Sequence, residues 1–77
     1  MKCAIISVGT ELLMGQIVDT NAAWLSERLR SLGIDVLYRY TVGDNPERLS
    51  DTIRTAFSHV DLVISIGGLG PDRKAHV

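Results

Sequence analysis

Apolar residues fall along this 77-residue chain in three short runs separated by two stretches of helical spacing. The first run, Lys2 to Val8, is apolar at almost every position, which suits a parallel strand buried on both faces. Ala22, Leu25, Leu29 and Leu32 then recur at intervals of 3, 4 and 3, a single apolar stripe along a helix. Thr20 or Asn21 is expected to cap its start, and Gly33 to close its end. From Ile34 to Val42 the pattern alternates in part. Ile34, Val36, Tyr38, Tyr40 and Val42 share one face, Asp35, Arg39 and Thr41 the other, and Leu37 is out of step. Such alternation predicts a strand near a sheet edge. Asp44-Asn45 followed by Pro46 marks a second helix start, with Leu49, Ile53, Ala56, Phe57 and Val60 on its apolar face. Asp61 to Ile66 reads as a third strand.

Strands alternating with helical crossovers predict an α/β fold with a parallel sheet. In such sheets, ligands bind in the crevice outside the carboxyl ends of the strands. Two segments leave those ends with small or hydrogen-bonding residues. One is the segment from Val8 to Asn21, a long loop through Gly9, Thr10, Glu11 and Gly15 to Asp19 and then the helix start, and the other is Ile66-Gly67-Gly68-Leu69-Gly70-Pro71. They are expected to form two walls of one site.

Composition narrows the classes. A chain of this length is at most one small domain, and at about 60 residues folding buries only ~60% of the unfolded surface. A hydrophobic fraction of 45% places it among folded rather than disordered chains. Eight basic and nine acidic residues, a net charge of −1, form no basic stripe, which argues against a nucleic-acid partner. The apolar runs fall far short of the ~18 residues of a membrane span, and the start does not read as a secretory signal. The lone cysteine, Cys3, sits in an apolar run as a small core residue; without an internal disulfide the cytoplasm is the simplest compartment.

The segment Val8-Gly9-Thr10-Glu11-Leu12-Leu13-Met14-Gly15-Gln16-Ile17-Val18-Asp19-Thr20-Asn21, with Val42-Gly43-Asp44-Asn45 and Gly67-Gly68-Leu69-Gly70-Pro71, resembles the molybdopterin-binding family of molybdenum-cofactor biosynthesis enzymes. Within it, the order and spacing are similar to the amino-terminal domain of the CinA-type competence/damage-inducible proteins. The resemblance covers residues 1–71 and implies the first βαβαβ half of a three-layer α/β/α, Rossmann-like fold, with parallel strands in the order 2-1-3. It also implies a pterin or nucleotide ligand at the strand ends. In CinA-type proteins it implies a metal-dependent pyrophosphatase acting on ADP-ribose, commonly beside a nicotinamide-mononucleotide deamidase domain. After Pro71 the likeness stops. Asp72 stands where the family pattern has Thr, and Lys74 and Ala75 stand where it has two aspartates. Residues 72–77 therefore read as an unrelated, disordered tail on a shortened or frame-shifted chain.

For each candidate residue a plainer role competes with the functional one. Gly67, Gly68 and Gly70 either let backbone amides approach a phosphate or pterin, or simply turn the chain after a strand. Gly9, Thr10, Glu11, Gly15 and Asp19 either line a ligand loop or serve as ordinary loop and helix-start residues. Asn21 and Asp44 are both placed to cap helices, with ligand contact an added role. By resemblance Asp44 contributes to catalysis or metal-phosphate handling, though a lone carboxylate is a poor magnesium site. A divalent metal and a pterin are the cofactors in question. Trp24 is expected to be partial core or interface, His59 a surface residue, and Leu12, Leu13 and Met14 an exposed apolar cluster. The rival function is a non-catalytic binding or assembly module, self-associating through exposed apolar faces, or a fragment without function.

Overall fold

The structure, a computed structural model, describes residues 1–67. Strands β1 (Lys2–Val8), β2 (Asp35–Val42) and β3 (Leu62–Gly67) form one parallel sheet in the order β2-β1-β3. Helix α1 (Thr10–Leu13) is a single short turn after β1; α2 (Thr20–Ser31) and α3 (Pro46–Phe57) are the two crossovers. The α/β class, the order 2-1-3 and the edge position of β2 follow the sequence reading.

The central strand explains its own composition. Alternate side chains of β1 feed opposite faces of the sheet, so nearly all must be apolar. Cys3 and Ile5 pack with Ala22 and Leu29 of α2, joined by Leu25, Ile34, Val36, Leu62, Ile64 and Ile66. Ala4 packs with Ala56 and Val60, while Ile6 and Val8 pack with Val42, Leu49 and Ile53 on the α3 side. Three layers result, with one helix on each face.

The out-of-step Leu37 has a structural cause. Cys3 pairs with Val36 but Ala4 pairs with Tyr38, a register shift that leaves Leu37 as an extra residue in β2. Val36 therefore points to the α2 layer and Tyr40 and Val42 to the α3 layer. The expectation of one shared face from Ile34 to Val42 is corrected accordingly, since a bulge reverses the phase of everything beyond it.

Other boundaries also differ. The stretch from Gly9 to Asp19 is not wholly loop, because Thr10–Leu13 close a helical turn through the Leu13 amide to the Gly9 carbonyl at 3.0 Å. Helix α2 is capped by neither Thr20 nor Asn21 but by Asp19, whose side chain accepts from the Ala22 amide at 3.0 Å. Asn45, not Asp44, caps α3, accepting from the amides of Glu47 and Arg48 at 3.0 and 3.1 Å. Leu32 and Phe57 are exposed: Leu32 lies past the last turn of α2, and Phe57 falls at the margin of a stripe already filled by Ile53, Ala56 and Val60. Trp24 is 64% exposed and so not core; the Arg28 guanidinium lies over its ring at 5.8 Å. His59 is at the surface as expected, tilted against Tyr38 with ring centroids 5.1 Å apart.

Candidate functional site

The carboxyl ends of all three strands meet at one edge of the molecule. Val8 is the shared register point, paired with Val42 on one side and with Gly67 on the other. Gly9 follows directly, is buried, and donates its amide to the Val42 carbonyl at 2.9 Å, which ties the start of the first loop to the end of β2. A side chain at Gly67 has no room. Its φ is +81°, and a Cβ there would stand 2.6 Å from the Val8 carbonyl oxygen, so only glycine ends β3 this close to β1.

From these ends the sequence-predicted residues are distributed unevenly. Thr10 and Asp44 come together: the Asp44 amide donates to Thr10 Oγ1 at 3.3 Å, bridging the loops after β1 and β2. Gly43 between them is buried, and a Cβ there would meet Leu13 Cδ2 at 3.4 Å and Thr10 Oγ1 at 3.6 Å. The Glu11 carboxylate reaches back over Gly9, with Oε1 2.6 Å from where a Gly9 Cβ would lie. These four residues and Gly67 occupy the strand-end region. Asp44 and Glu11 are both exposed, so their carboxylates face solvent.

Asp19 has a different environment. One carboxylate oxygen caps α2 and the other accepts the hydroxyl of Ser7, which is 1% exposed on β1. Its lone pairs are directed into the fold, which pins the far end of the loop to the central strand. Gly15, at φ +75° and with open space within 4 Å of where a Cβ would lie, shapes the same loop from its outer side. Asn21 lies in the first turn of α2 and is exposed; the capping role expected of it belongs to Asp19. Gly68 and Gly70 lie outside the described residues.

Sequence reasoning passed over Ser7 and Gly43. A signal for Ser7 existed, since it is the one hydroxyl in an otherwise apolar strand. Gly43 appears in the sequence only as part of Val42-Gly43-Asp44-Asn45, and its burial between α1 and the end of β2 arises only when α1 folds against that strand.

A divalent metal fits the described residues poorly. Among them no group of three His, Cys, Asp or Glu side chains converges. Asp19 is already committed to Ser7 and Ala22, which leaves Asp44 and Glu11 as separate exposed acids. Among the described residues no helix is long and apolar enough to cross a membrane.

Residues 4–77 match the family model described as a probable molybdopterin binding domain. The chain belongs to the molybdopterin-binding domain family. It is 61% identical over 71 residues to a CinA-like protein of Dictyoglomus turgidum, covering 92% of this chain and 17% of that relative. A putative competence-damage inducible protein of Streptococcus pyogenes serotype M5 is 58% identical over 73 residues, 95% of this chain and 17% of its own length. The crystal structure of the protein CinA, of unknown function, from Thermoplasma acidophilum superposes with a TM-score of 0.86 at 38% identity, covering 91% of this chain and 41% of that one. The chain thus spans about a sixth of the length of the curated relatives it matches, and within that span it shares the molybdopterin-binding fold with the CinA-like proteins.

Proposed function

We propose that this molybdopterin-binding domain holds a phosphate-bearing pterin or nucleotide at the joined carboxyl ends of β1, β2 and β3. The observation that carries the reading is the side-chain-free approach of β3 to β1: Gly67 sits against the Val8 carbonyl, directly beside the buried Gly9. Stripped of side chains, backbone at strand ends lets an anion come close to amide hydrogens. Thr10 supplies a hydroxyl and Asp44 a carboxylate at the same edge.

For the CinA-type relatives, the resemblance implies cleavage of the pyrophosphate bond of ADP-ribose, with Asp44 the carboxylate that orients water. Magnesium usually takes one or two carboxylates together with phosphate oxygens. Among the described residues no three His, Cys, Asp or Glu side chains converge, so a metal at this edge would depend on the ligand's own phosphate oxygens for most of its coordination.

Thermal unfolding in the presence of ADP-ribose or a pterin, with and without magnesium, tests the proposal. A ligand at about 100 times its Kd stabilises the folded form by about 2.7 kcal/mol. For a chain of this size that is a rise in Tm of about 10–20 °C. Asp44→Ala is expected to shrink the rise. No shift with any phosphate-bearing probe at millimolar concentration would refute the reading.

A second reading rests on a separate observation. Leu13, Met14, Ile17, Val18 and Trp24 are all more than half exposed within a twelve-residue stretch, 13–24, an apolar density suited to self-association. Light scattering tests it: a monomer at high micromolar concentration would rule self-association out.

A further inference from the structure

Along β1 the side chains on the α2 face run Cys3, Ile5, Ser7, and the first two belong to the apolar core. Ser7 breaks that row at the penultimate rung, paired with Thr41 of β2 on one side and Ile66 of β3 on the other. At 1% exposure a hydroxyl is costly unless it is bonded. Its partner is one carboxylate oxygen of Asp19. The α2 cap needs only the other oxygen, 3.0 Å from the Ala22 amide, and an alanine at position 7 would occupy the core without needing a partner. Packing and capping therefore leave the Ser7 hydroxyl unexplained.

What this bond adds is closure of a loop. The chain leaves β1 at Gly9, whose amide is tied to the Val42 carbonyl at 2.9 Å, and Asp19 returns it to Ser7, just before the point of departure. Both ends of segment 9–19 are thus fixed at the end of the central strand. Between them, backbone bonds lead to the site. The Gln16 amide donates to the Glu11 carbonyl and the Met14 amide to the Thr10 carbonyl, each at 2.9 Å, while Thr10 Oγ1 accepts from the Asp44 amide. Residues 14–18 are exposed, so core packing does not hold them.

We propose that Ser7 is a positioning residue for the strand-end site: by holding Asp19 it keeps segment 9–19 closed, and with it Thr10 and Glu11 in place. The effect on a ligand rests on the proposed site, whereas the effect on the loop rests on the fold alone. Without the hydroxyl Asp19 still caps α2, but the loop opens more often, and apparent affinity falls with the closed fraction.

Amide hydrogen exchange and calorimetric titration with ADP-ribose and with a pterin, both on the whole chain, test this in Ser7→Ala. The amides of Met14 and Gln16 are expected to exchange about five- to tenfold faster, the equivalent of one lost hydrogen bond, and the probe that binds wild type to bind about three- to tenfold more weakly. Val60→Ala, a truncation against Ala4 and Ala56 on the other face of the sheet, is the control for general loss of stability. It is expected to speed exchange in β1 while leaving the loop amides and ligand affinity near wild type, and circular dichroism checks that both variants are folded. Unchanged loop exchange in Ser7→Ala, equally fast loop exchange in Val60→Ala, or faster loop exchange with unchanged affinity would overturn the positioning role and leave the strand-end site standing. A wild-type chain that binds neither probe would overturn the strand-end site, and the positioning role with it.

Discussion

Asp19→Ala removes two hydrogen-bond acceptors in one step. One oxygen holds the Ala22 amide at 3.0 Å and so begins α2; the other holds the Ser7 hydroxyl inside the fold. Loss of a helix cap costs about 1 kcal/mol. Leaving a buried hydroxyl without a partner costs about 1–3 kcal/mol more, and at 1% exposure Ser7 has no water to replace Asp19. The total, roughly 2–4 kcal/mol, is a large share of the roughly 3–10 kcal/mol expected for a fold of this length. It corresponds to a Tm lowered by about 10–30 °C. Ser7→Ala alone should cost only about 1 kcal/mol, because the half-buried Asp19 keeps the Ala22 bond and its other oxygen can reach solvent. The double variant is the sharper test. With no hydroxyl left to strand, it should be no less stable than Asp19→Ala, a departure from additivity of about 1–3 kcal/mol. Urea unfolding followed by far-ultraviolet circular dichroism measures all three. Trp24, already exposed in the folded chain, is a weak fluorescence reporter for the purpose. An Asp19→Ala variant within about 0.5 kcal/mol of wild type, or strict additivity in the double variant, would refute the account of this pin.

Three further outcomes are expected. Gly67→Ala should destabilise by about 2–5 kcal/mol, from the positive φ and the overlap with the Val8 carbonyl, whereas Gly15→Ala, strained only in its dihedral, should cost about 1–2; equal losses in thermal melts would contradict the close approach. Asn45→Ala should cost about 1 kcal/mol as a lost cap, while Asp44→Ala should stay within about 0.5 kcal/mol of wild type in stability, and the reverse order would show that the caps are misassigned. Burial pushes the Cys3 thiol above its ordinary 9.0, so the unfolded chain loses that proton first. Stability from this group is therefore constant below about pH 9 and falls as pH rises from the unfolded value toward the folded one. Denaturant melts across pH 7 to about 10.5 check the slope, which Cys3→Ala should remove, and rapid labelling of Cys3 by a thiol reagent under native conditions would contradict its burial.

Much of the fold was legible because apolar periodicity reports burial directly. An almost wholly apolar β1 reads as the centre of a sheet, and the stripe through Leu25 and Leu29 reads as the covered face of α2. What the pattern could not show is which of several adjacent polar residues does the capping. Asp19, Thr20 and Asn21 are all capable, and the choice fell to Asp19 because Ser7, remote in sequence, holds its second oxygen. The same holds between Asp44 and Asn45, where Pro46 sets the first helical position and makes the residue just before it the cap. Leu37 was visible as a break in alternation, but its meaning, an added residue that reverses the strand's two faces, depends on pairing with β1. At the candidate site the glycines were legible as places without side chains. The meeting of Thr10 with Asp44 exists only once α1 has folded onto the end of β2.

The surplus residue at Leu37 also marks where the chain can shorten without disturbing the site. Val36 already stands opposite Cys3 and Tyr38 opposite Ala4, so a chain lacking Leu37 closes into an unbroken ladder with every later pair, down to Val8 with Val42, unchanged. Tyr40 and Val42 stay in the α3 layer, and Gly43 and Asp44 still reach Thr10. A deletion there is absorbed where it occurs, and the far end of the strand does not register it.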